Sequence, residues 1–366
     1  MKRKALAIVL SCVLAFSGVL GMVGCSGGAG AAAKDVTDLV YAANTDTDGL
    51  DESYAVPEEV TGVAPTIGAL TQITAMLCGD ESKVAAAPTA QISDRFKSVI
   101  SSYEAGNPDG YDSTSVEDII ASGAQVAYGP VALFSDEQKQ QLSDAGVTFI
   151  PMSNLGTVDG ICACTELIGA ILGDEEYARA QEFTAYWKGN VSDAQERTSG
   201  LSDDEKPTVL NLSYSNGAFG CESGETMIGT YIEAAGGVNV AKDYSVVSSG
   251  GQNGGATLDE EQIVDWNPDY ILCYSTECTE QVLNDDALAS VTAVKNGDVY
   301  TVPTGLYLWS VRSGEGALMA PWVGTIINAE LFEDVDMVSM TQDFFKTYYG
   351  YDLSTEDAES ILQGTW

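Results

Sequence analysis

The chain has 366 residues, with 45% hydrophobic and 19% charged side chains, enough for two globular domains and unlike a disordered polymer. Its 16 Lys and Arg face 54 Asp and Glu, a formal net charge of −38, which excludes nucleic acid and anionic lipid headgroups as electrostatic partners. It contains no histidine, so Ser-His-Asp and Cys-His catalysis, His-ligated zinc and His-ligated haem are excluded as well.

Met1-Lys2-Arg3-Lys4 is a basic start, residues 5–23 are apolar or small, and Gly24-Cys25-Ser26-Gly27 follows. A charged start, an apolar core and a small residue at the cleavage point predict a secretory leader over 1–24. A cysteine directly after that point resembles the lipobox of bacterial lipoproteins. The resemblance implies that Cys25 is diacylated and holds the protein at the outer face of the cell membrane. Cleavage would remove three basic residues, Lys2, Arg3 and Lys4, and no acidic one. Residues 25–50 are Gly/Ala-rich and then Asp/Thr-rich, which reads as a flexible tether.

From there strand and helix signals alternate, as in α/β folds. A first lobe over 51–160 contains a strand at 60–64, a helix at 67–77, a short strand at 83–87, a helix at 115–122 and a strand at 125–128. A helix at 135–145 and a strand at 147–151 complete it. Residues 161–204 carry a long helical pattern without a strand, with Gly173 as a candidate break and a charged turn at its end. A second lobe over 205–366 has strands at 208–212, 270–274 and 299–302, with helices at 225–235, 258–265, 279–290 and 316–331.

The two lobes echo each other. Residues 116–127 align with 260–271, so that Glu117 and Glu261 each precede an apolar pair by two residues and lie eight residues before Gln125 and Asp269, where the next strand opens. The fold class is therefore α/β: two similar Rossmann-like lobes joined by one long backbone helix, with a cleft between them.

Cys12 lies in the leader; among the six cysteines of the body, Cys78, Cys162, Cys164, Cys221, Cys273 and Cys278, no C-x-x-C pair occurs, so buried thiols and disulfides both remain open. The Gly-rich stretch 248–255 lacks the lysine of a phosphate loop and reads as a mobile loop.

Several segments in order resemble bacterial binding proteins for iron-siderophore complexes, haem and vitamin B12, the class III solute-binding proteins of ABC importers. They are Tyr54 to Val60, Ser115 to Ile120, Ala235-Gly236-Gly237-Val238-Asn239-Val240-Ala241, Glu261 to Ile271 and Ala293-Val294-Lys295-Asn296-Gly297-Asp298-Val299-Tyr300. The chain departs from the family at Gly123-Ala124-Gln125, where a "K-P-D" is usual.

The resemblance implies capture without catalysis, no cofactor, and delivery of the ligand to a permease dimer with its ATPase subunits. It implies that Glu117 and Glu261 dock on permease arginines. Strand-end loops are the expected cleft. They bring forward Arg95, Tyr128, Phe134, Tyr214, Asn216, Phe219, Tyr307, Trp309 and Arg312 as ligand contacts, the aromatics as platforms and the arginines as anion partners. A ferric siderophore is the first expected ligand, then cobalamin, then haem. A cell-surface hydrolase using a carboxylate pair is the competing class.

Overall fold

The computed structural model describes residues 33–79, 82–100, 103, 106, 107, 109–244 and 256–366. The expected leader 1–24, Cys25 and the Gly-rich stretch 248–255 lie outside the described residues.

The expected tether over 25–50 is corrected from residue 33 onward. Strand β1 (Ala33–Asp35) pairs antiparallel with β2 (Ala55–Pro57), and a short helix, Thr37–Ala42, lies between them. Val36, Val40 and Ala43, spaced three and four apart, are buried in the main core. Asn44 clamps the segment by donating to the carbonyls of Val40 (2.8 Å) and Pro151 (2.9 Å). The apolar spacing was present in the sequence but diluted by polar neighbours.

The first lobe is built on a parallel sheet of β3 (Val63–Pro65), β4 (Val126–Gly129) and β5 (Thr148–Pro151), in that order. Val84 bridges to Val63 on the outer side of β3 and Ala87 bridges to Asp112, so the expected strand at 83–87 is reduced to two isolated bridges. The second lobe contains β6 (Thr208–Ser215), β7 (Ala218–Cys221), β8 (Val238–Asn239), β9 (Ala256–Leu258), β10 (Tyr270–Cys273) and β11 (Val299–Thr301). Four of them run parallel in the order β8-β6-β10-β11. That order reproduces Val84-β3-β4-β5 strand for strand. The second lobe adds an antiparallel extension, β6 to β7 to β9, that has no counterpart among the described residues of the first.

The equivalence reaches single hydrogen bonds. Asp269, ahead of β10, accepts from the amide (2.8 Å) and hydroxyl (2.7 Å) of Thr208 at the start of β6. Gln125, ahead of β4, accepts from the amide (2.7 Å) and hydroxyl (3.0 Å) of Thr61 ahead of β3. The departure from the family motif at Gln125 thus keeps the same latch with an amide oxygen in place of a carboxylate.

The helical stretch after β5 is two helices, Val158–Leu172 and Asp174–Thr198, broken at Gly173. Gly173 has φ 155° and ψ 179°, a region open essentially to glycine alone. The 25-residue second helix is the spine, about 37 Å long. Its buried residues Ala180, Phe183, Thr184, Trp187, Val191, Ala194 and Thr198 fall on one face at helical spacing. Asp174, Glu175 and Glu176 suit its N-terminal dipole, and Arg197 suits its C-terminal one. Arg197 also forks onto Asp334 and pairs with Asp193, which ties the spine's end to the second lobe. The main core wraps this helix, with Leu70 and Ile73 of the first lobe and Tyr231 and Ile232 of the second in one cluster.

The two consecutive helices pack closely at Gly169. A Cβ there would stand 2.7 Å from Ala180 Cβ and 2.8 Å from the Glu176 carbonyl. Gly169→Ala is therefore expected to cost about 1–3 kcal/mol of stability. Thermal unfolding checks it: an unchanged midpoint would mean that this helix pair is not close-packed.

Candidate functional site

Parallel strands leave their carboxyl ends, and the loops that follow them, facing the same way, so two such sheets on one spine enclose a cleft between loop sets. A cleft of ≈ 720 Å³ is lined from both lobes. The first lobe contributes Ile67, Gln91, Ser93, Pro130 and Leu155, and the second contributes Thr304, Leu306, Tyr307, Val311 and Arg312. Its size suits a compact organic or chelated ligand.

Local structure fixes both walls. Gln91, in a single helical turn over Thr89–Gln91, accepts from the Gly68 amide at 2.7 Å, pinning the start of helix Gly68–Cys78. Tyr307 crosses from the opposite wall and sets its hydroxyl over Gly68, where an added Cβ would collide with it. Only glycine leaves room for that contact. Burial raises the Tyr307 phenol, and the neighbouring Arg312 charge opposes the rise.

Behind the 304–312 loop sits Glu315, fully buried. Its carboxylate accepts from Gln72 Nε2 (3.0 Å), the Leu306 amide (3.0 Å), Trp309 Nε1 (2.9 Å) and the Tyr349 hydroxyl (3.0 Å). Gln72 belongs to the first lobe and in turn accepts from the Gly314 amide at 3.1 Å. One carboxylate thereby joins the first-lobe helix, the cleft loop and the helix Met337–Tyr349. Burial pushes this carboxyl up to about 7 despite those donors.

Of the nine residues expected at the ligand, Tyr307 and Arg312 line the cleft. Tyr128 is fully buried in β4 with its hydroxyl bonded to Thr74. Phe134 is buried edge-on against Phe149, ring centroids 5.6 Å apart. Phe219 is buried against Tyr214 at 5.1 Å, across the β6–β7 hairpin whose turn holds Asn216 and Gly217 at positive φ. Trp309 is buried on Glu315. Arg95 is exposed and stacks over the Trp366 ring at 4.3 Å. The polar cleft residues Gln91, Ser93 and Thr304 were not singled out in the sequence, though all three lie in the strand-end loops.

Glu117 and Glu261 occupy matching positions. Each is the second residue of a helix, Val116–Ala121 and Glu260–Trp266, capped by Ser115 and Asp259 respectively. Both are exposed, and among the described residues neither enters an ion pair.

All six cysteines of the body are free thiols, and burial pushes Cys162 and Cys164 up to about 12, so they are unreactive at neutral pH. Among the described residues, no helix is long and apolar enough to cross a membrane.

A family model described as "Periplasmic binding protein" matches residues 104–305. The chain is 26% identical over 198 residues to the molybdate-binding protein MolA of Haemophilus influenzae, an alignment covering 52% of each chain. It is 27% identical over 200 residues to a cobalamin-binding protein of Halobacterium salinarum, covering 52% of this chain and 50% of that one. The chain thus spans about half the length of the curated relatives it matches. A periplasmic solute-binding protein from Veillonella parvula superposes with a TM-score of 0.68 at 22% identity, over 90% of this chain and 97% of that one.

Proposed function

The chain belongs to the periplasmic binding protein family, and on that premise we propose that it is the extracytoplasmic solute-binding component of an ABC importer. In this reading the lobes over 51–160 and 205–366, joined through 161–204, hold a compact metal chelate and release it unchanged to a permease dimer with its ATPase subunits. A ferric siderophore is the first ligand class. Cobalamin is the second, favoured by the cobalamin-binding relative. Cys25 carries the lipid that keeps the protein at the membrane, and Glu117 and Glu261 dock on the permease.

The observation that carries this reading is the cleft itself, lined by strand-end loops of two equivalent sheets on one spine. The walls are largely aliphatic, with Gln91, Ser93, Thr304, Tyr307 and Arg312 as polar points. In a chain of net charge −38, an arginine in the cleft is the natural partner for an anionic chelate. The cleft-lining residues include no pair of carboxylates, which two-carboxylate glycoside hydrolysis requires.

The experiment is titration of the purified protein with ferric siderophores and cobalamins, comparing wild type with Arg312→Ala. Loss of one charge-assisted contact should weaken binding about 10–100-fold. Equal affinity in the variant would remove Arg312 from the ligand. Silence of the wild type across both classes would sink the chelate reading.

A further inference from the structure

The cleft wall built from residues 304–312 is held from behind by one carboxylate. Glu315 Oε1 accepts from the Leu306 amide, Gln72 Nε2 and the Tyr349 hydroxyl, each at 3.0 Å, and Oε2 accepts from Trp309 Nε1 at 2.9 Å. Oε2 also lies against the loop backbone at Gly305, where it leaves no room for a Cβ. Within the loop, the Gly305 amide donates to the Tyr307 carbonyl and the Trp309 amide to the Pro303 carbonyl, both at 3.1 Å, and Thr304 bridges to Leu308. The loop is thus a small tight hairpin, anchored at Leu306 and Trp309. Tyr307 stands between the two anchors and Arg312 three residues beyond the second, and both line the cleft.

The first-lobe wall is tied to the same point. Gln72, fully buried, donates to Glu315 and to the Tyr349 hydroxyl (2.8 Å) and accepts from the Gly314 amide (3.1 Å). Ala69, on the preceding turn of the same helix, lines the cleft. The Gln72–Glu315 bond therefore sets one wall against the other.

Each group bonded to this carboxylate donates to it, and only the ionised form accepts from all four. A proton on Oε2 would face an indole N–H, which can only donate; a proton on Oε1 would face the Leu306 amide. Either releases an anchor of the loop. Gln72, Leu306 and Trp309 carry no charge. Tyr349 titrates, but burial and the Glu315 charge hold its phenol well up, so it stays protonated through neutral pH. The charged residues of its helix, Asp343 and Lys346, are exposed, and helix Gly68–Cys78 has none. On the loop itself, burial raises the Tyr307 phenol while Arg312 opposes the rise. Burial brings the Glu315 carboxyl to about 7, within reach of ordinary changes in pH. The proton relieves a buried charge, which suits the fold, yet it takes an acceptor from the cleft loop.

We propose that Glu315, braced by Gln72, is a proton-operated positioning residue: ionised, it holds the 304–312 wall in place for the ligand, and protonated, it frees that wall and weakens capture. This is a regulation of the solute-capture site and rests on that reading.

The test measures binding of cyanocobalamin and ferrioxamine B, neither of which titrates between pH 5.5 and 8, to wild type and Glu315→Gln. In wild type the tighter of the two should bind about 10–30-fold more weakly at pH 5.5 than at pH 8, since only the ionised fraction keeps the wall in place. Glutamine has no proton to exchange, so the variant's affinity should change by less than about 2-fold over that range. A wild type as flat as the variant, or a variant with the wild-type response, would overturn the role of Glu315 and leave solute capture intact. Without ligand, the Trp309 indole N–H and the amides of residues 304–312 should shift together in nitrogen-15 NMR spectra of wild type as pH passes about 7, and stay in place in Glu315→Gln. Resonances that do not move in wild type would overturn the role as well. Silence toward both probes would count against chelate capture, and the NMR titration would then decide the role of Glu315 by itself.

Discussion

Replacing Glu315 with alanine is expected to lower the unfolding free energy by about 4 kcal/mol, because buried donors each cost about 1–3 kcal/mol when their acceptor is removed. The Leu306 amide, Trp309 Nε1 and the Tyr349 hydroxyl would all be stranded. Glu315→Gln keeps the volume but points one N–H at a donor, and is expected to cost about 1–2 kcal/mol at pH 8. The pH dependence is distinctive. In the unfolded chain the carboxyl titrates near 4.5, and burial pushes it up to about 7 in the fold. Between those values the folded state binds the extra proton, so this group's contribution to stability falls as pH rises from about 4.5 to about 7, then levels off. The span is on the order of 3 kcal/mol. Glutamine cannot titrate, so the stability gap between wild type and Glu315→Gln should be wider at pH 5 than at pH 8. Denaturant melts at the two pH values measure it; the same gap at both would mean that the carboxyl ionises at an ordinary value.

The second large effect concerns docking. Reversing both charges, Glu117→Lys with Glu261→Lys, is expected to reduce cellular uptake of the ligand by about 100-fold or more, while ligand affinity and stability stay near wild type. Each is exposed at the second position of a capped helix, so its loss costs the fold no more than about 0.5 kcal/mol. A carboxylate meeting an arginine across an interface is worth about 2–5 kcal/mol when disrupted, and reversal adds repulsion. Single reversals should fall between wild type and the double variant. Undiminished uptake with both reversed would refute the docking assignment.

The equivalence of the lobes was legible because it is written in local spacing. Glu117 and Glu261, each nine residues ahead of a strand, fall at the same turn of matching helices. The break at Gly173 was legible for the same reason, since only glycine tolerates that backbone. The cleft residues were less so. Tyr128 sits in β4, the middle strand of its sheet and buried on both faces, so an aromatic near a strand end packs inward instead of facing ligand. Trp309 turns inward because Glu315, far from any strand, offers its indole an acceptor. Asn216-Gly217 was a hairpin signal of the strongest kind, and reading it as a cleft loop missed the β6–β7 pairing that buries Phe219. The role of Tyr349 had no local signal, because its partners Gln72 and Glu315 are remote in sequence.

A crystal structure of the protein with its tightest chelate bound tests the central claim most directly. Solute capture between equivalent lobes predicts an intact ligand touching Gln91 or Ser93 on one wall and Tyr307 and Arg312 on the other. A ligand seated on one lobe alone, away from the spine, or recovered as a cleaved product, would contradict it.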